Sequence, residues 1–213
     1  MKILSRQGGI AATNSYLIAD ESTGQAVLFD APDHTIGPLI QAAQKNKWDL
    51  IGLWLTHGHF DHIADHALVT DNFPNAKVLI HKLDEPKLAA PFRQFPLPFI
   101  IPPRNADAYV QDGQTLRLGN LTVQVIHTPG HSPGHVCYHF PQENVLVGGD
   151  LIIMGAIGRT DFPDCDPAAM DVSLRRIMTL NPATRLLPGH GDESLLSDEA
   201  QTNPYVQQAL SGR

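Results

Sequence analysis

The sequence predicts an α/β sandwich, two packed β-sheets with helices on their outer faces. Three observations carry that expectation. Short apolar or alternating runs of strand length recur in both halves of the chain. Helical periodicity appears between and after them. The 213 residues show no break in composition and no low-complexity segment, so 1–213 is expected to form one domain, although the length would also suit two small ones.

The first half opens with strands predicted at 1–6, 15–19 (SYLIA), 26–30 (AVLFD) and 50–55 (LIGLWL). A helix over 36–47 places Ile36, Leu39, Ile40 and Ala43 on one face. A second helix starts near Asp61, with Ile63, Ala64, Ala67 and Leu68 at helical spacing. Strand 77–80 (KVLI) and a short helix near 83–89 follow. Residues 91–104, PFRQFPLPFIIPPR, hold five prolines in fourteen positions, which rules out a regular helix or a central strand. Their Phe and Ile content is unlike a solvated linker, so the segment either covers a site or packs on the core as a surface loop.

The second half repeats the plan. Strands are predicted at 115–118, 121–127, 135–140 and 145–149; LTVQVIH alternates, and NVLVGG reads as buried. A helix over 167–179 has Asp166 as N-cap, Pro167 at its first position, and Met170, Leu174, Ile177 and Met178 inside. Strand 184–187 and a tail helix opened by Asn203–Pro204 complete the chain.

Composition narrows the function classes. Hydrophobic residues make up 42% and charged residues 17%, as in ordinary globular proteins. No apolar run approaches a membrane span, and MKILSRQGGI has too short an apolar stretch for a secretion signal, so a cytoplasmic location is expected. The formal net charge is −7 with no basic run, which argues against nucleic acid or a membrane surface as partner. The two cysteines, Cys137 and Cys165, lack a C-x-x-C spacing and indicate no disulfide framework; the first reads as a strand side chain and the second as a loop residue.

Histidine is the outlier, with 11 copies. Four short sites share one plan, a predicted strand followed by a Gly- or Pro-bearing turn that carries His or Asp. They are LWLTHGHFDH (His57, His59, Asp61, His62), VIHTPGH (His131), VLVGGD (Asp150) and LLPGH (His190). Neighbouring strands would bring all seven side chains to one sheet edge. Imidazole and carboxylate donors without thiolate suit Zn, Fe or Mn. Five histidines and two aspartates exceed one catalytic centre and fit two divalent ions, which at a separation of about 3.5–4 Å can hold a bridging hydroxide. Taken singly, each position has a plainer use; Asp61, for example, suits the first turn of the following helix. His66, one turn beyond His62, is a candidate support for the ligands, and His135, in HSPGH, either holds its turn, the preferred reading, or orients a ligand. His34, His81, His127 and His139 have no supporting context.

H-x-H-x-D-H followed by a single His, a single Asp and a final His resembles the metallo-β-lactamase fold superfamily over nearly the whole chain. The resemblance implies an αββα four-layer sandwich. It also implies that His57, His59 and His131 hold one metal, that Asp61, His62 and His190 hold the second, and that Asp150 bridges. TPGHSPGH, GGDLIIMGAIGRTDFP and LLPGHG further resemble the short bacterial glyoxalase II branch, which hydrolyses S-D-lactoylglutathione to D-lactate and glutathione. Longer members of that branch add a C-terminal helical domain with glutathione contacts; only 23 residues follow His190 here. Arg159, in GRTDFP, is the one candidate for a substrate carboxylate, with an ion pair to a nearby aspartate as its structural alternative.

The expected function is thus a dinuclear hydrolase of a small thioester, with Zn as the first choice of metal and Fe or Mn accepted by the same donors. Asp61 is expected to orient the hydroxide as well as bind metal. The leaving thiolate, with a conjugate-acid pKa of about 8.5, needs no dedicated general acid. The main alternative is a mononuclear-iron persulfide dioxygenase-like oxidoreductase, which shares GRTDF; other hydrolases of the fold, such as a lactonase, share the metal motif. A non-catalytic metal sensor fits less well, because nothing resembling a DNA-reading or dimerisation segment accompanies the ligands. The partner is a small molecule, a glutathione thioester; the sequence specifies no oligomeric state.

Overall fold

The computed structural model describes residues 1–212. Its first sheet contains β1 (Lys2–Gly8), β2 (Thr13–Asp20), β3 (Gln25–Phe29), β4 (Asp49–Trp54), β5 (Lys77–His81) and β6 (Ala108–Val110), side by side in chain order. The first three strands pair antiparallel and β3 to β6 pair parallel. The second sheet contains β7 (Thr115–Leu118), β8 (Leu121–His127), β9 (Val136–Phe140), β10 (Val145–Gly149), β11 (Arg185–Pro188) and β12 (Ser194–Leu195), again in chain order. Its pairs are antiparallel except β10 with β11. Helices α1 (Gly37–Lys45), α2 (Phe60–Ile63), α3 (His66–Asn72) and α4 (Glu85–Ala89) belong with the first sheet. Helices α5 (Pro167–Ile177), α6 (Leu196–Thr202) and α7 (Pro204–Ser211) belong with the second. The result is the αββα order that the sequence predicts.

Strand periodicity divides the apolar residues among three cores. Along β2, Tyr16 and Ile18 enter the core between the sheets, while Leu17 and Ala19 face the helices outside. Phe29 centres the inter-sheet core, edge-on to Trp54, Tyr138 and Phe140 at ring separations of 5.6, 5.2 and 6.2 Å. Complete burial of such a ring contributes roughly 1.5–3 kcal/mol. On the outer faces α1 buries Leu39, Ile40 and Ala43, and α5 buries Met170, Leu174 and Ile177. These are the stripes their 3.6-residue spacing predicts. Asp166 accepts from Ala169 N at 3.0 Å and Asn203 from Tyr205 N at 3.1 Å, so both predicted helix starts are capped.

The helix expected from Asp61 onward is broken instead into α2 and α3. Ala31, far back in the chain, donates its N–H to His62 O and accepts from Asp65 N, both at 2.8 Å, which takes the groups a continuous helix would use. The phase shifts accordingly: Val69 is buried and Leu68 is exposed. Three short elements lie outside the sequence prediction. β6 and β12 have three and two residues, too few for a period to register. In α6, LSDEAQT, the buried positions are Leu196 and Glu199, so no apolar stripe marks it. Residues 91–104 are irregular apart from one 3-10 turn at Pro91–Arg93. Among the described residues no helix is long and apolar enough to cross a membrane.

Candidate metal centre

The two sheets meet along one edge, at the C-terminal ends of β3, β4, β10 and β11. Val136 N donates to Thr56 O at 2.8 Å, Tyr138 OH to Leu55 O at 2.9 Å, and Asn14 N to Gly189 O at 2.7 Å. All seven predicted ligands gather at this edge. Donor atoms of His57, His59 and His131 lie within 4.8 Å of one another, as do those of Asp61, His62 and His190. His57, His62 and Asp150 form a third such group, which places Asp150 between the other two. Its Oδ1 is 3.3 Å from His62 Nε2, and its Oδ2 is 3.4 Å from His131 Nε2 and 3.3 Å from His190 Nε2.

In three of the five histidines the nitrogen not facing the centre is held by a neighbour. His57 Nδ1 bonds Thr56 Oγ1 at 3.0 Å, and His131 Nδ1 donates to the Arg159 carbonyl at 2.8 Å. His62 Nδ1 donates to Asp30 Oδ2 at 2.8 Å. These bonds fix the tautomers, because an imidazole that donates from Nδ1 presents a lone pair at Nε2. The lone pairs of His57 Nε2 and His131 Nε2 then converge on His59 Nδ1, at 3.1 and 2.8 Å. His62 Nε2 and Asp150 Oδ1 are buried with no hydrogen-bond partner. Buried polar atoms left facing one another, as at His62 Nε2 and Asp150 Oδ1, are costly unless a proton or a metal cation stands between them. The donor set therefore fits divalent metal, with His, Asp and open approach from one side.

Electrostatics agree. Burial pushes His57 well below the usual imidazole range, helped by His62 and His59, and burial with His131 takes His59 down to about 4. Both stay neutral and able to ligate. Burial opposes the charge on the two carboxylates, yet His62 and His190 hold Asp61 down to about 2 and Asp150 well below the carboxylate range. In return, against their own burial, His62 is raised well above its ordinary value and His190 up to about 10. Two buried carboxylates thus require positive charge at this point, supplied by protons or by metal.

Supporting residues lie outside the predicted set. Asp30 accepts from Thr56 N, Thr56 Oγ1 and His62 Nδ1, each at 2.8 Å. Its partner Thr56 also holds His57, so one carboxylate orients a histidine in each group. Its signal was available, since AVLFD ends on an acid at a strand end just as VLVGGD does. Thr13 Oγ1 donates to Asp61 Oδ2 at 2.6 Å. Asp84 clasps two ligand-bearing loops, accepting from Gly58 N at 2.8 Å, Ser132 Oγ at 2.7 Å and Gly134 N at 2.8 Å. Nothing near it in sequence signals that role. His135 Nδ1 bonds Thr128 Oγ1 at 2.8 Å and its Nε2 accepts from Asp150 N at 3.0 Å, so it holds its turn as expected and also seats the Asp150 backbone. His66 does not support the ligands; it reaches Pro102 O at 2.8 Å and ties down the proline-rich segment. Gly189 is required by close approach, because a Cβ there would meet Asp150 Oδ1.

The centre opens into an apolar cleft of 540 Å³. Phe95, Pro96 and Leu97 form part of its wall, so the 91–104 segment borders the site. Arg159 also lines it, but its guanidinium is already paired: Nε and Nη2 each donate to Asp161 at 2.8 Å. It lies over the Phe162 ring at 4.3 Å. Cys165, half-buried, donates its Sγ–H to His131 O at 3.1 Å, and Cys137 is buried in β9.

Comparison with known proteins places this geometry. Residues 8–190 match the family model of the metallo-beta-lactamase superfamily. The hydroxyacylglutathione hydrolase GloC of Haemophilus influenzae is 30% identical over 208 residues, 91% of this chain and 92% of that protein. Among solved structures, the B3 metallo-beta-lactamase BLEG-1 superposes with a TM-score of 0.88 at 31% identity, covering 96% of this chain and 99% of its own. TTHA1623 in a di-iron-bound form gives 0.80 at 34%, covering 95% and 99%. Sheet order, ligand order and family match coincide, and the chain belongs to the metallo-beta-lactamase superfamily.

Proposed function

We propose that this protein is a dinuclear-metal hydrolase of a small thioester, with S-D-lactoylglutathione as the substrate and D-lactate and glutathione as products. The observation that carries the reading is the division of seven converging donors into two groups joined by Asp150 beside an open apolar cleft. The likeness to the Haemophilus hydroxyacylglutathione hydrolase supports the substrate class. His57, His59 and His131 would hold one cation and Asp61, His62 and His190 the other, with Asp150 placed between the two groups. Bound divalent ions supply water acidic enough to act near neutral pH and a polarised substrate carbonyl.

The chain's own residues do the rest. Thr13 fixes the Asp61 carboxylate, which orients the attacking water. Phe95, Leu97, Ile153 and Ile157 exclude bulk water from the reacting carbonyl. The tetrahedral adduct expels a thiolate whose conjugate acid has a pKa of about 8.5, so departure needs no protonating side chain. Zinc is the proposed metal; the same donors accept iron, as TTHA1623 in its di-iron form illustrates for its own site.

The test is elemental analysis of the purified protein combined with an assay panel of glutathione thioesters, lactones, a β-lactam and glutathione persulfide. Two metals per chain and thiol release from lactoylglutathione are expected. Absence of turnover with every glutathione thioester would overturn the reading. One iron per chain with oxygen uptake on the persulfide would replace it by the oxidoreductase alternative.

A further inference from the structure

The cleft at the metal centre continues into a second cavity of 660 Å³; His59, Phe95 and Phe162 line both. The combined space suits a ligand larger than the reacting acyl group. Three cationic side chains reach these two cavities, and their charges are not equally available. Arg159 donates twice to Asp161. Lys87, in the second cavity, places Nζ 2.7 Å from Asp164 and 3.3 Å from Asp84. Arg93, in the same wall, forms no ion pair or side-chain hydrogen bond with any described residue; its guanidinium rests 5.8 Å from the Phe92 ring centroid.

The backbone that carries Arg93 is nevertheless fixed. Arg93 N donates to Ala90 O at 3.1 Å. The next residue, Gln94, donates from Nε2 to Gly58 O at 3.0 Å and to Lys87 O at 3.2 Å, and accepts from Phe60 N at 3.0 Å. Gln94 thereby binds this turn to the loop that carries His57 and His59. A guanidinium left free on an anchored turn, beside an apolar cavity and in a chain of net charge −7, is an available receptor for a carboxylate, which it can grip with two parallel N–H donors.

We propose that Arg93 receives a carboxylate on the thiol portion of the substrate, in the cavity that adjoins the metal cleft, and so selects anionic over uncharged thioesters. The proposal deepens the thioester reading and rests on it for the identity of the substrate. Arg159, by contrast, lies against Asp161 and holds His131 through its carbonyl oxygen.

The test compares metal-loaded wild type with Arg93→Met and Arg159→Met. Turnover is measured on lactoylglutathione and on the lactoyl thioester of N-acetylcysteamine, which has no carboxylate. In Arg93→Met the ratio of kcat/KM for the anionic over the uncharged thioester falls about tenfold or more, the loss of one charge-assisted contact. An unchanged ratio, or an equal or larger fall in Arg159→Met, overturns the proposal. Binding of the uncleavable thioether S-hexylglutathione, followed by calorimetry, provides a readout that needs no turnover. Its Kd rises about tenfold in Arg93→Met and is partly restored in Arg93→Lys. Failure of wild type to bind it, or equal Kd in wild type and Arg93→Met, also overturns the proposal. If the thioether binds through Arg93 but no thioester is hydrolysed, the hydrolase reading falls and the carboxylate receptor stands.

Discussion

Asp30 has φ of 57°, a left-handed conformation that is uncommon outside glycine, although Asp tolerates it better than most residues. The backbone there turns so that one buried carboxylate meets Thr56 and His62 together. A residue in that position would hold the proposed ligands in place rather than bind metal, and its loss is expected to appear as weakened metal binding. Asp30→Asn presents an amide N–H to His62 Nδ1, which already carries a proton, and so disturbs the tautomer that points its Nε2 lone pair at the centre. Metal affinity should fall about 10–100-fold, the usual loss when such an outer partner is removed. Competition titration against a chelator measures this; wild-type affinity in the variant would remove Asp30 from the role.

Elements differ in how far their own residues specify them. Asp166 and Pro167 announce α5, and its stripe of Met170, Leu174 and Ile177 is buried as spaced. Asp166→Ala should cost about 1 kcal/mol in chemical unfolding, the ordinary loss of an N-cap, while an unchanged midpoint would mean that packing alone holds the helix start. The strand alternation and the seven His and Asp side chains that converge at the sheet edge were legible for the same reason, since each signal is contained in a few adjacent residues. The α2–α3 break and Asp84 were not, because their partners lie 26 to 50 residues away and only the folded chain joins them. Asp20, at the end of β2, shows the same long reach. It accepts from Ser22 N and Oγ and Thr23 Oγ1 in its own turn, and from Asn120 N at 2.7 Å in the turn between β7 and β8. The Ser22 and Asn120 bonds hold its carboxyl well below the usual range. A depressed folded value means that its stabilisation is complete above the unfolded pKa of about 3.9 and is lost as pH falls below it. Asp20→Asn should therefore lose about 1–2 kcal/mol at pH 7 and progressively less toward pH 3. Urea unfolding at stepped pH reads the convergence; a gap that stays constant with pH would exclude the ionised carboxylate as its cause.

At the scale of the whole molecule the two sheets are fastened at both ends of an apolar core. Asp20 and Asn120 join them at one end, and the metal centre lies at the other. The proposed ligands are divided between the halves: His57, His59, Asp61 and His62 follow β4, whereas His131, Asp150 and His190 follow β8, β10 and β11. Each proposed cation would then take donors from both sheets and act as a cross-link that the unfolded chain lacks. A ligand bound only by the native state stabilises it by about 2.7 kcal/mol when present at a hundred times its Kd. For a chain of this length each kcal/mol corresponds to roughly 2–4 °C in Tm, so stripping one site should lower Tm by about 5–10 °C. Phe29, Tyr138 and the rest of the inter-sheet core contain none of the ligands, so far-UV circular dichroism at 25 °C should persist in the stripped protein. His190→Ala removes a donor from one group only, and its Tm should respond less to chelator than that of wild type. A Tm that does not move when elemental analysis shows the metal gone would mean that the metals do not fasten the sheets, and that the backbone bonds at Asn14 and Val136 hold that edge unaided.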